Sequence, residues 1–390
     1  MILNIPLAWL QLAQQKVRFL VTLCGIAFIV VLLFVQLGLQ DALYASATYF
    51  HHNIRGDLFL ISYQYNSLTS QQSFPRPRLY QALGFNGVES VSPLYLQFAK
   101  LKNPINGQKF PIYVIGFDPG DLALNLPEVN HKLNIIKLPD MVLFDRDSRR
   151  EFGPIAKTFE QGKPVFIEIF SYNSRIGYRV KVGGLFTQGP SFGVDGNLIM
   201  SYLTFLRTFQ DRRSEEIDVG LITLKPDANL KEVSKNLSTH LPHDVRVLTR
   251  QEFIDFEKKF WSIRTPIGFV FSLMVTMGFV IGIAVVYQIL YSNVSNHLAE
   301  YATLKAIGYK NNYLLHVVFQ QALFLAILGY IPGFLITINV YDLAKNATLL
   351  PIFMSIDKAL IVLITTVLMC LFSGFFAMRR LSSADPADIF

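Results

Sequence analysis

Charge is scarce in this chain. Of its 390 residues, 16% are Asp, Glu, Lys or Arg, where soluble globular domains carry about a quarter. Cysteine is scarcer: Cys24 and Cys370 both fall in apolar stretches, so no disulfide framework is implied. The G-x-x-x-x-G-K-[ST] phosphate loop is missing, which leaves the chain no P-loop of its own for ATP. HExxH and CxxC patterns are missing too, and no Ser/His/Asp or Cys/His constellation rises above background. With 52% hydrophobic residues and a mean hydropathy of +0.36, a disordered chain is excluded. A net charge of +7 resting on so few charges makes no field for nucleic acid.

Long apolar runs take the place of charge. Residues 19–39, 267–290, 314–338 and 359–378 contain no Asp, Glu, Lys or Arg, and each reaches the roughly 20 helical residues that cross a bilayer core. The pattern predicts an α-helical membrane protein with four transmembrane helices. A large mixed α/β extracytoplasmic domain, residues 40–266, is inserted between helices 1 and 2. Of 35 basic residues only eight, and of 28 acidic residues only six, lie outside 42–265. The scarcity is therefore an average of an ordinary outside domain and a nearly neutral membrane part.

Orientation follows from cations in the short flanks. Lys16 and Arg18 precede the first run, Lys305 and Lys310 lie in the 291–313 loop, and Arg379 and Arg380 open the 379–390 tail. These flanks are expected in the cytoplasm, both termini with them. In the short 339–358 loop Lys345 and Lys358 are balanced by Asp342 and Asp357, as suits an outside loop. Trp261 is expected at the outer interface as an aromatic anchor. Residues 1–18 read as a cytoplasmic interfacial helix with Trp9 at headgroup depth.

In the outside domain, strand-helix-strand patterns at 53–118 and 217–255 bracket a Gly- and Pro-rich portion, 119–216, which reads as an inserted lobe. The run Asp145 to Glu151 reads as a solvated turn or helix edge. His51 and His52 are adjacent rather than at helical spacing, which argues against a metal site. Gln36, Gln288, His316, Gln320 and Gln321 read as helix-to-helix hydrogen-bonding groups. Gly278 and Gly282 form a small-xxx-small pair for close packing, within one protomer or at a dimer interface. Gly329, Pro332 and Gly333 can kink the third helix.

The sharpest local signal is Asn296-His-Leu-Ala-Glu-Tyr-Ala-Thr-Leu-Lys-Ala-Ile-Gly-Tyr-Lys310. Asn296 can cap a short helix, Glu300 and Lys305 suit its macrodipole, and Gly308 can end it. Tyr301, Leu304 and Ile307 recur on one flank, fit to lie on membrane lipids or to dock in a groove of a cytoplasmic protein.

EYATLKAIGY resembles the E-x-x-x-L-K-A-[IM]-G coupling segment of FtsX/MacB/LolC-type ABC permeases, and the RLSSADPAD ending resembles that family's D-P-A tail. Within the family, the opening IPLAWLQLAQQKVRFLVTLCGIAF, the run FVQLGLQDALYASA and the terminal ADPADIF are similar to the DevC-type permeases of cyanobacterial DevBCA exporters.

The resemblance implies a type VII ABC (MacB-like) fold, with 53–118 and 217–255 as a porter-like lobe and 119–216 as a sabre-like lobe. It implies a homodimer in the bacterial inner (plasma) membrane, seated on a separate DevA-like ABC ATPase dimer that uses ATP and Mg, with no cofactor on this chain. Further implied partners are a DevB-like membrane-fusion adaptor and a TolC-like outer-membrane channel, for a glycolipid-like or other amphiphilic cargo. Glu300, Tyr301, Leu304, Lys305, Ala306, Ile307 and Gly308 would form the ATPase coupling site. The alternative is an FtsX-like signalling subunit that controls an outside partner such as a cell-wall hydrolase.

Overall fold

A computed structural model describes residues 7–14, 16–70, 72–191, 193–296, 300, 303, 307–309 and 311–382. The chain divides into two compact units: one of residues 1–42, 266–348 and 352–390, the other of residues 43–265 with 349–351.

The strands of the second unit are β1 (Leu58–Ser62), β2 (Phe74–Pro75), β3 (Val88–Lys102), β4 (Lys109–Phe117), β5 (Met141–Asp145) and β6 (Phe166–Ser171). They are followed by β7 (Tyr178–Phe186), β8 (Asn197–Ser201), β9 (Glu216–Ile217), β10 (Val219–Leu224) and β11 (Val245–Thr249). Nine of them form one sheet in the order β11-β1-β10-β3-β4-β8-β5-β7-β6, and β6 pairs back onto β3. That last pairing closes β3-β4-β8-β5-β7-β6 into a six-stranded ring, with β11-β1-β10 attached to the first half of β3.

β3 belongs to both parts. Val88 to Leu94 pairs with β10, Leu94 to Lys102 with β4, and Ala99 to Lys102 with β6. The division expected at 118/119 thus separates strands of one ring: β4 pairs in parallel with β8, and β3 pairs antiparallel with β6. Sequence reading misses this because the pairings are long-range and, at β4–β8 and β5–β7, parallel. Alternation along the ring strands puts Leu101, Ile112, Val114, Val142, Val180 and Met200 into one buried cluster.

Between the end of β10 and the start of β6, the edge of β3 has no strand beside it among the described residues, and side chains fill the place. Leu96 N–H donates to Asp218 Oδ2 at 2.6 Å, and Arg212 Nη1 donates to Leu96 O at 2.9 Å. Arg212 and Asp218 bond each other at 2.6 Å, both nearly inaccessible to solvent. Ser73 Oγ donates to Asp218 Oδ1 at 3.0 Å. The backbone groups of Leu96 are paired as if a strand were present.

Helices of this unit begin where capping chemistry dictates. Ser201 accepts from Thr204 N–H at the start of Tyr202–Thr208, Asn229 caps Leu230–His240, and Thr249 with Glu252 makes a full capping box on Arg250–Lys259. Trp261, expected at the membrane interface, is instead buried in the domain: its Nε1–H donates to Glu257 Oε1 at 2.9 Å. A local hydrogen bond at i−4 overrides the tendency of Trp to sit at interfaces.

The first unit is built from α1 (Leu7–Gln14), α2 (Lys16–Asn53, up to Ala42), α3 (Pro266–Asn296), α4 (Asn311–Thr348) and α5 (Ile356–Ser382). Among the described residues, four helices are long and apolar enough to cross a membrane, those at Lys16–Asn53, Pro266–Asn296, Leu315–Thr348 and Ile356–Met378. Their contacts run through glycines. A methyl on Gly329 would fall 2.6 Å from Ile26, and one on Gly333 would fall 2.8 Å from Val30. These two glycines, with Pro332 inside an otherwise continuous α4, are where α4 meets α2. Gly278 lies against Leu32 and Gln36, and Gly282 against Ile29 and Met369, so in this protomer the pair packs on its own helices. Arg18 donates to Ser292 Oγ, tying the start of α2 to the end of α3.

Asp218→Ala leaves the buried Arg212 without its carboxylate and Leu96 N–H without its acceptor, and should lower stability by about 3–5 kcal/mol. Glu216→Ala, which removes only the exposed pair with Arg213, should cost under about 1 kcal/mol. Chemical denaturation of the purified protein, followed by Trp fluorescence, measures both; equal effects would contradict the role given to Asp218.

Candidate functional site

Of residues 300–309, where the sequence suggests coupling to an ATPase, Glu300, Thr303, Ile307, Gly308 and Tyr309 are described. Tyr301, Leu304, Lys305 and Ala306 lie outside the described residues. Ile307 N–H donates to Thr303 O at 3.1 Å, one helical turn. Gly308 follows at φ +106°, a conformation that glycine adopts without steric cost and that stops the helix. Ile307 is 72% exposed and Tyr309 45% exposed, with the Tyr309 ring 4.6 Å from that of Tyr313. At Ile307 the flank expected to be apolar and accessible is on the surface.

Glu300 is exposed as well, and its carboxylate is bonded. Its Oε2 accepts from Gln11 Nε2 at 2.8 Å, and Gln11 Oε1 accepts from Gln321 Nε2 at 2.7 Å. Gln11 and Gln321 are both buried. The carboxylate of this exposed residue is thus tied to α1, whose Ala8 packs with Val294, Val317, Val318 and Met378. Trp9 meets Phe324 edge-on at 5.9 Å. The sequence pointed to Gln321 as a hydrogen-bonding group but gave no partner. The missed partner, Gln11, carries only a faint signal, an amide among apolar residues at i−3 and i+1.

Among the described residues, three carboxylates are buried in the second unit, and each is occupied structurally. Asp145, expected in a solvated turn, accepts from the N–H groups of Asp147, Gln188 and Gly189 and from Asn197 Nδ2. It anchors the Gly-rich stretch that follows β7, and burial raises its pKa. Burial likewise raises that of Asp218, against the opposing effect of Arg212. Glu257 accepts from Leu68 N–H and from Trp261, with the His51 ring 3.6 Å away, and burial pushes its carboxyl up to about 7. With their lone pairs committed to these donors, none of the three is set against a nucleophile or a metal ligand set. A cleft of about 800 Å³ opens in the same unit between His52, Arg55, Asp57, Asp121 and Arg250, where two arginines face two aspartates. Arg250 braces its wall by donating to the carbonyls of Ile54 and Gly56 at 2.7 Å.

Residues 19–240 match the MacB-like periplasmic core domain family, and residues 272–386 match the FtsX-like permease C-terminal family. The chain belongs to the FtsX/MacB-like ABC permease family. Its outside unit is similar to the periplasmic region of MacB from Actinobacillus actinomycetemcomitans, at 14% identity over 51% of this chain and 91% of that one, with a TM-score of 0.33. It is also similar to the extracellular domain of the ABC-type transporter YknZ from Gram-positive bacteria, at 12% identity over 50% of this chain and 99% of that one, with a TM-score of 0.30. No curated protein sequence matches the chain. Permeases of this family are generally non-catalytic and work with an ABC ATPase.

In this permease Glu257 makes stability depend on pH in a defined sense. Between about pH 4.5, its unperturbed value, and about 7, the folded protein holds a proton that the unfolded chain releases. Stability from this group therefore falls as pH rises through that window and stays lower above it. Unfolding of wild type and Glu257→Gln compared from pH 4 to 8 should show the wild type losing ground relative to the variant across the window. A constant difference would refute the assignment.

Proposed function

We propose that this chain is the membrane-spanning subunit of an ATP-driven tripartite exporter of the DevC type. A homodimer of it would bind a DevA-like ABC ATPase dimer at the cytoplasmic face of the inner membrane. Motion driven by ATP would pass through the helices to the outside domain, which would expel cargo through a DevB-like adaptor and a TolC-like outer-membrane channel. The observation that carries this reading is the pairing of a MacB-like core domain with an FtsX-like helical part in one chain that has no ATPase motif of its own. Exposed Ile307 and Tyr309 beside Gly308 support ATPase docking at 300–308. The apolar runs hold no charge for an ion or proton path, which supports transmission of motion over conduction through the bundle. The charge-balanced cleft beside Arg55 and Asp121 suits the polar part of an amphiphile, such as a glycolipid, better than an anion.

The FtsX-like alternative, control of an outside enzyme without transport, draws equal support from the match over 272–386. Affinity purification in mild detergent separates the two. Recovery of an ATPase with an adaptor and an outer-membrane channel decides for export, and recovery of an ATPase with a cell-wall hydrolase decides for signalling. Within either reading, the double change Glu300→Lys with Leu304→Asp should abolish co-purification of the ATPase while the protein stays in the membrane. Full retention of the ATPase would remove 300–308 as its docking site.

A further inference from the structure

Gln11 occupies a position that docking alone does not require. It is a buried amide on α1 that bonds in two directions: to the Glu300 carboxylate of the coupling segment and to the Gln321 amide of α4. The direction of the chain of bonds is fixed by chemistry. An ionised carboxylate only accepts, so the Gln11 NH₂ must face Glu300, which leaves its carbonyl for the NH₂ of Gln321. A hydrogen bond to a charged group is among the stronger ones. α1 is also seated firmly, since Ala8 and Leu12 on the same face are buried and Trp9 packs on Phe324 of α4. Two to three turns beyond Gln321, α4 reaches the glycines that touch Ile26 and Val30 of α2.

We infer that Gln11 is a positioning residue that relays displacement of the coupling segment into α4, so that α1 works as a strut between the ATPase-facing loop and the membrane bundle. A pull on Glu300 draws the Gln11 amide, and the Gln11 carbonyl draws Gln321 and with it the turn of α4 that carries it. The inference rests on the reading of 300–308 as the segment that an ATPase moves.

The test uses the full chain purified with its ATPase in lipid nanodiscs, with hydrogen exchange of α4 read with and without ATP. Gln11→Glu sets two carboxylates against each other. It should leave the ATPase bound and cut the ATP-dependent change in exchange around Gln321 about tenfold, the scale of one charge-assisted hydrogen bond lost. Adding Glu300→Gln to that variant rebuilds the chain of bonds with the first one reversed: the amide now at position 300 donates to the carboxylate now at position 11, and Gln321 donates to that same carboxylate. The double variant should recover the response. Gln11→Met fills the space without either bond. It should lose the response too, and Glu300→Gln should not rescue it. A purely structural role for α1 predicts no such selective rescue. A wild-type response preserved in Gln11→Glu would overturn the relay alone, whereas a wild-type preparation with no ATPase would overturn the ATP-driven reading and the relay together.

Discussion

The outside domain depends on one strand serving both parts of its large sheet. A strand that leaves one neighbour before it gains the next exposes backbone donors and acceptors along the gap, and in a buried position each costs free energy if unpaired. At Leu96 the gap is filled by a carboxylate and a guanidinium. A buried ion pair is costly to desolvate, and a hydrophobic pair of similar volume is often at least as stable. Here a hydrophobic pair would not serve, because it could not bond the N–H and C=O of Leu96. Asp218 also takes Ser73, and Arg212 lies 5.4 Å over the Phe205 ring, so both ions are compensated on several sides. The pair also holds register: a slip of one residue along β3 would turn the whole strand inside out and carry Leu96 away from Asp218.

The membrane unit has the opposite problem, abundant apolar surface and little directional chemistry. Apolar helices in lipid gain little from hiding apolar surface, so close approach and a few polar bonds must hold them. Glycines at 278, 282, 329 and 333 provide the approach. The polar bonds join different pairs of helices. Tyr341 of α4 donates to Phe34 O of α2, Ser373 of α5 donates to Ile283 O of α3 at 2.9 Å, and Lys358 of α5 pairs with Asp41 of α2 at 3.2 Å. Gln321 adds the bond from α4 to α1.

Much of this was legible in the residues. The long apolar runs, the glycine stop at 308 and the close packing of Gly278 and Gly282 all follow from local pattern, and local pattern is what a single sequence carries. The closed ring was not legible, because its closure depends on β6 meeting β3 some 70 positions away and on two parallel pairings with no turn to announce them. Asp145 and Trp261 were misplaced for a related reason. A charged or amphipathic residue type suggests solvent or an interface until a specific set of partners, three N–H groups and an amide for one and a carboxylate for the other, makes burial favourable. At residues 300–308 the motif was readable and the bond from Gln11 was not, since Gln11 and Glu300 are 289 positions apart.

Two of the four places where the chain passes between the units differ in backbone structure. At the first, α2 runs without interruption from Lys16 to Asn53, 38 residues or about 57 Å of helix, and passes the boundary at Ala42 and Leu43 mid-helix. At the second, the helix Arg250–Lys259 gives way to a π-helical turn at Phe260–Arg264, then to Thr265 in extended conformation at φ −105° and ψ 148°, then to Pro266 at the start of α3. The residue before a proline is disfavoured in the helical region, and the proline lacks the N–H that would continue the ladder, so the helical hydrogen bonding is interrupted here. The Glu257–Trp261 bond spans the start of the turn and limits how far it can unwind.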